Sequence, residues 1–379
     1  MSKWAFRISV LVLLAAAMAA TVNWSQIMSN GQGGAPPQEA YYLSSDQLIP
    51  VDGKGGSNIM GPYVRAKDWP QLLPGGRKID SGPAVYAESP NRIYVGTRGT
   101  RLPYPMQVGW QRQTIMKWFH LTAQELDPRH DFILDVFDGQ GKLIENWKQY
   151  DSIRSVQRWQ VNASDPNHYN YITGSHILIL SHDGQKIIHD IAPEDVPTKP
   201  GELGFEPEGI AFAKDGGFWV TSHSRVIRFS KDFKYESDFG GPKELIGAHD
   251  LVYDAVGHRF YVCDQIGHRI QVYDDSGKLV DTWPNILSPS AIRMTKDRKY
   301  LWVGDIYAPR FYKFDTKGHM ITEFGTWGME DGAISGIHDF DVDSDGNLYV
   351  ANHDIQASEK FIPIKGGNPE QIIGPLLPR

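Results

Sequence analysis

The chain has one cysteine, Cys263, in 379 residues. No internal disulfide can staple it, so its stability has to come from packing. Cys263 stands inside the strand-like run FYVCD and reads as a small buried hydrophobe rather than a nucleophile. Basic clusters are missing as well: nowhere do five Lys or Arg residues run together, and the formal net charge is -7. A nucleic-acid surface is thereby excluded, because phosphate neutralisation needs clustered cations. Helical stripes are absent too, since apolar residues recur with a period of two over nearly the whole chain and no i, i+3, i+4 pattern persists. The longest apolar run, Ile8 to about Val22, falls short of the ~20 residues of a membrane-spanning helix. It follows Lys3 and Arg7 and ends in Ala17-Met18-Ala19, which is the shape of a secretory signal. Residues 1–22 are therefore expected to be a signal peptide and the protein to be secreted or periplasmic. Membrane attachment is expected only if that segment stays uncleaved.

What the chain does hold is 38 glycines, 24 prolines and 12% aromatics, a composition of short strands and tight turns. Residues 23–78 are Gly/Pro-rich with little periodicity and read as an extended N-terminal arm. From residue 79 to 379 a repeat emerges. The strand runs NRIYVGTRG, YNYITGS, GFWVTSHS, RFYVCDQIG, YLWVGDIY and NLYVANHD align on Val95, Ile172, Val220, Val262, Val303 and Val350, at spacings of 77, 48, 42, 41 and 47. The long first spacing marks an insertion at about 98–130. Most anchor strands have an apolar run before them and an alternating run ending in a turn signal after them, as in SRVIRFSKD and HRIQVYDDSG. Four strands per unit at a period of about 40 to 48 residues predict an all-β fold, a six-bladed β-propeller.

In a propeller the first strand of each blade lines the central channel. Its starting end lies on the same rim as the turn between the second and third strands. The first phase reads Pro83, Glu208, His249, Ser290 and His338, with either Arg154 or Gln157 in blade two. The second reads Arg98, His223, Asp264, Asp305 with Tyr307, and His353. His249 and His338 open channel strands two blades apart, so their rings can point at one axial spot, as a zinc or similar divalent ion requires. Glu208, His223 and His353 are placed to add a third ligand or a base. The plainer reading stands beside this: a chain with 13 histidines can put two at one phase by chance. His268 reads as structural, and Asp264 and Asp305 read as caps of their blade turns.

The motifs inside the repeat resemble those of NHL-repeat propellers over roughly residues 80 to 375. GAHDL, GIHDF and IYVGTRGTR resemble the peptidyl-α-hydroxyglycine α-amidating lyase family. The resemblance implies zinc held by histidines that open the channel strands of blades two, four and six, and His249 and His338 match the last two. It implies an active-site arginine after the second strand of blade one, matched by Arg98, and a structural calcium served by the residue after the last histidine, matched by Asp339. Blade two lacks the histidine, and His223 stands where the family has its tyrosine base.

The function expected from these residues is a metal-dependent lyase, or hydrolase, acting on a small or peptide-like substrate at the channel mouth. Arg98 would hold a carboxylate and His223 would move the proton, with Tyr307 on the same rim. The metal set is His249, His338, His353 and Glu208. The insertion, with Tyr104, Trp110, Trp118 and Phe119, reads either as a wall over the mouth or as a packed structural excursion. Two other readings stay open: a non-catalytic propeller that binds a protein or glycan, and a lactonase-type or streptogramin-lyase-like propeller with a carboxylate-rich centre.

Overall fold

The period-two runs form strands, and the turn residues between them explain where each strand stops. Between the third and fourth strands of blades one, four and five the chain reads Asp-x-x-Gly. Oδ1 of Asp138, Asp274 or Asp315 accepts two backbone N–H groups of the turn. Gly141, Gly277 and Gly318 then take the left-handed conformation, with φ of 82°, 76° and 84°. A computed structural model describes residues 60–79, 82–101, 130–153, 156–199, 201–328, 333–353 and 358–378. All of these lie in the compact unit Ile49–Arg379.

Two short strands come first, β1 (Tyr63–Arg65) and β2 (Lys78–Ile79). Blade one is built from β3 (Ala84–Ser89), β4 (Arg92–Gly96), β6 (Leu134–Phe137) and β7 (Leu143–Asn146), with β5 (Thr100–Arg101) pairing back to β2. Blade two holds β8 (Val156–Val161), β9 (Asn170–Gly174), β10 (Ile177–Leu180) and β11 (Ile187–Ile191). Blade three holds β12 (Ile210–Phe212), β13 (Phe218–Ser222), β14 (Arg225–Phe229) and β15 (Tyr235–Gly240). Blade four follows with β16 (Ala248–Asp254), β17 (Arg259–Asp264), β18 (Arg269–Asp274) and β19 (Leu279–Pro284). Blade five comprises β20 (Pro289–Met294), β21 (Tyr300–Asp305), β22 (Phe311–Asp315) and β23 (Met320–Phe324). Blade six has β24 (Ile337–Val342), β25 (Leu348–Asn352) and β26 (Glu359–Pro363), and its outer strand is β1. The protein is a six-bladed β-propeller.

The core is divided among the joints between blades. Among the described residues there are six buried apolar clusters, each drawn mainly from two successive blades around the ring. This distribution is how a ring of twisted sheets hides both faces of every blade. Closure of the ring corrects the boundary expected at residue 79. Residues 60–79 belong to the folded body rather than to an arm. Tyr63 pairs with Pro363 across β1 and β26, and Trp69, only 3% exposed, packs its ring 5.1 Å from Tyr349 and 6.0 Å from Phe137. That segment completes the sheet of blade six and packs between it and blade one. Cys263 is fully buried in the cluster between blades four and five, and burial drives its thiol pKa up, which leaves it inert. Residues 1–59, most of the insertion (102–129) and its four named aromatics, and Arg154 lie outside the described residues.

Candidate metal centre at the channel mouth

The channel strands share an irregularity at one position. Pairing jumps between Val156 and Arg158, Ala248 and Asp250, Pro289 and Ala291, and Ile337 and Asp339. Gln157, His249, Ser290 and His338 are therefore each the extra residue of a β-bulge, which bends the strand and re-aims the side chain. Blade three does the same just before β12. The Glu208 N–H donates to Thr221 O at 2.9 Å while the Thr221 N–H donates to Gly209 O at 3.0 Å, so Glu208 holds that place. In blade two the register selects Gln157 for the first phase.

Three of these side chains converge. The rings of His249 and His338 lie 4.8 Å apart, nearly perpendicular at 73°. Their ligand atoms and the Glu208 carboxylate all lie within 4.8 Å of one another. His249 Nδ1 is 2.7 Å from Ser290 O and His338 Nδ1 is 2.7 Å from Pro83 O. A carbonyl oxygen only accepts, so the proton of each neutral ring sits on Nδ1 and the lone pair on Nε2. Both rings are neutral at pH 7. Burial, with the charge of Arg158 adding to it, brings His249 down to about 3 and holds His338 well below the usual imidazole range. Glu208 moves the other way. Burial pushes its carboxyl up to about 8 against the pull of Arg158 and Arg98. Its Oε2 is buried without a hydrogen-bond partner and stands 3.8 Å from His249 Nε2. Two metal–ligand bonds of about 2.0–2.2 Å span that gap, so the donor set fits a divalent ion.

The residue after each bulge also faces the hub, and sequence reasoning missed its importance. Asp250 and Asp339 stand at this place in blades four and six, and Arg158 in blade two; all three are fully buried. Arg158 lies directly against the two rings, Nη1 at 2.8 Å from His338 Nδ1 and Nη2 at 3.1 Å from His249 Nδ1. These nitrogens donate instead to Gln157 O at 2.8 Å and Ser290 O at 2.7 Å. Its Nε is 3.9 Å from Asp250 and 4.0 Å from Asp339. Arg293 completes the layer, bonding Asp250 Oδ2 at 2.5 Å and Asp339 Oδ1. Two arginines and two aspartates thus form a charge-balanced floor beneath the imidazoles. Blade three contributes Gly209, because a side chain there would meet the Asp250 Cα at 2.6 Å.

Asp339, the residue expected to serve a structural calcium, lies in this layer. Its Oδ1 takes Arg293 and the Phe340 N–H, and its Oδ2 takes the Val85 N–H at 3.3 Å.

The remaining predicted residues are spread along the rim. His353 stacks on His338 at 5.5 Å and 16°, and half-buried Arg98 makes its charge felt at both Glu208 and His338. His223 lies in the blade-three turn with a left-handed φ of 50° and its Nε2 3.5 Å from Glu206. Tyr307 is 69% exposed in the blade-five turn, where its N–H donates to Asp305 Oδ1. Asp264 and Asp305 cap their turns: Asp264 accepts the Ile246 and Gly247 N–H groups, and Asp305 accepts those of Ser288, Tyr307 and Ala308.

No family model matches the sequence, and no curated protein does. Among solved structures, that of a streptogramin B lyase superposes on 79% of this chain and 96% of its own, with a TM-score of 0.51 and 13% identity. A virginiamycin B lyase from Staphylococcus aureus covers 73% of this chain and 80% of its own, with a TM-score of 0.47 and 13% identity. At this identity the likeness to the first is one of fold alone, that of a β-propeller.

Proposed function

We propose that the protein is a divalent-metal-dependent lyase, working at the mouth of its channel on a small or peptide-like molecule, with zinc as the metal. One observation carries the reading: two neutral imidazoles offer Nε2 lone pairs beside a buried, unpartnered carboxylate oxygen of Glu208. Placing two polar nitrogens and an acid together at the end of a channel costs desolvation that a bound cation offsets. When bound, the ion supplies Lewis acidity toward a hydroxyl or carbonyl oxygen of the substrate.

The chain's own residues do the rest. His249 and His338 are oriented through their Nδ1–H bonds to Ser290 O and Pro83 O, the outer contacts by which proteins aim ligating histidines. Arg98 brings positive charge to the rim, where it attracts an anionic group of the substrate. His223, 3.5 Å from Glu206, is the group placed to take or return the proton, and His353 backs His338 from the side. The amidating-lyase resemblance supports the lyase class through His249, His338 and Arg98, and parts from it in blade two, where Gln157 replaces a histidine. Export to the periplasm or medium, directed by residues 1–22, belongs to the same reading.

The test is metal content after purification without chelator. Wild-type protein is expected to carry zinc in near-stoichiometric amount, and the double variant His249→Ala, His338→Ala to carry almost none. Equal metal content in the two would sink the proposal.

A further inference from the structure

Exposed large apolar side chains are unremarkable when scattered, and a contiguous set is not. Four of them form a contiguous arc on the mouth rim of blades four and five: Ile246 (54% exposed), Ile266 (60%), Leu287 (50%) and Tyr307 (69%). Backbone contacts join them into one surface. Gly247, next to Ile246, lies so close to Ile266 that a side chain on it would meet Ile266 Cγ1 at 2.8 Å. Two residues past Ile266, His268 O accepts the Ile286 N–H at 3.2 Å and His268 Nδ1 contacts Leu287 O, which seats Leu287 against the blade-four turn. Ser288 O accepts the Ile306 N–H at 3.1 Å, which brings Tyr307 beside Leu287.

The arc leads into the donor set. Ile246 precedes β16, whose bulge carries His249, and Leu287 precedes β20, whose Ser290 carbonyl holds His249 Nδ1. Charged and polar side chains stand elsewhere on the rim, Arg98 in blade one and Glu206 with His223 in blade three. The mouth therefore offers both apolar and charged side chains around the imidazoles.

We propose that this arc is the binding surface for a bulky aliphatic or aromatic limb of the substrate, placed next to the group that enters the channel. The inference rests on the channel mouth being the active site and names the class of molecule it takes: an amphipathic one, with an apolar limb beside an oxygen-bearing, anionic end. A molecule that lies across the mouth in this way buries its limb on blades four and five while its charged end meets Arg98. Glu206, 70% exposed on the same rim, and the net charge of -7 make the face a poor match for an anionic lipid surface.

The probes are N-acetylphenylalanine and N-acetylglycine, which share a carboxylate end and differ in the limb. Their affinities are measured by ligand-observed NMR on protein stripped of metal, so the result is independent of the metal assay. The wild type is expected to bind the phenylalanine derivative about tenfold more tightly or better. The double variant Ile266→Ser, Tyr307→Ser is expected to lose that preference. The control Val280→Ser, Met320→Ser, on exposed apolar residues of outer strands, should keep it. All four positions are exposed, so circular dichroism should report intact folds. Equal affinity for the two probes, or a preference that survives the rim variant, overturns the inference. So does binding to phosphatidylcholine vesicles, or self-association in sedimentation, that the rim variant alone abolishes, since either would give the arc a different occupant.

Discussion

Arg158 Nη1 lies 2.8 Å from His338 Nδ1, in a layer where neither side chain is more than 2% exposed. A guanidinium against a ring that already donates from Nδ1 is an unfavourable contact, and it persists because Asp250 and Asp339 hold the guanidinium from the other side at 3.9 and 4.0 Å. The centre is thus built on a fixed cation. This has opposite consequences for folding and for metal binding.

Arg158→Met is expected to destabilise the protein by about 3 kcal/mol, because it removes one of the two guanidiniums that balance two buried aspartates. The same change is expected to tighten zinc binding about tenfold or more, since a positive charge behind the ligands is gone. Urea unfolding at pH 7 and chelator competition on the folded variant read the two effects. Weaker metal binding by the folded variant would contradict the electrostatic account.

Gln157 occupies in blade two the bulge position that His249 and His338 occupy in blades four and six, and its Oε1 is buried without a partner. Gln157→His is therefore expected to supply a third imidazole and raise zinc affinity about tenfold or more. Competition against a chelator of known affinity checks it, and an unchanged dissociation constant would mean that the residue 157 side chain does not reach the ion.

Metal binding should also depend on pH in a way set by Glu208 rather than by the histidines. Burial holds Glu208 protonated up to about pH 8 and brings His249 down to about 3. Below about pH 8 an incoming ion must displace the Glu208 proton, so affinity rises about tenfold per pH unit toward 8 and levels off above it. Glu208→Gln should flatten this dependence between pH 6 and 8. Calorimetry in several buffers, which reports the protons released on binding, distinguishes the two cases. A break near 6.5 would assign the proton to imidazole instead.

Sequence and structure agree most closely where the signal is periodic. Alternation of period two, Asp-x-x-Gly turns and the spacing of Val95, Ile172, Val220, Val262, Val303 and Val350 define the blades, because each is dictated by local backbone chemistry. The phase that brings His249 and His338 together was legible for the same reason. Arg158 was not, since a bulge adds one residue and turns two successive side chains to the same side, which strict alternation forbids. The clue lay in aligning VQRW with AHDL and IHDF, where a charge follows the phase residue each time with its sign reversed in blade two. The outer strand of blade six was hidden for another reason: β1 is three residues of a Gly/Pro-rich stretch, and what holds it is pairing with β26, about 300 residues away in sequence.

A last prediction concerns Asp135 in β6, which is no part of the donor set. Its side chain is fully buried, Oδ1 accepts from Asn146 Nδ2 at 2.9 Å and Oδ2 has no partner. Burial pushes this carboxyl up to about 8, from an ordinary value of 3.8. Between about pH 4 and pH 8 the folded state keeps a proton that the unfolded state has lost, so stability falls as pH rises through that window. Asp135→Asn keeps the shape and the acceptor for Asn146 but cannot ionise, and should remove that loss. The variant is expected to be more stable than wild type at pH 9 by a few kcal/mol, on the order of what a shift of this size implies, and close to wild type at pH 4. Urea unfolding at the two pH values decides it, and a gap that is the same at both would show that Asp135 is already ionised in the folded protein at pH 4.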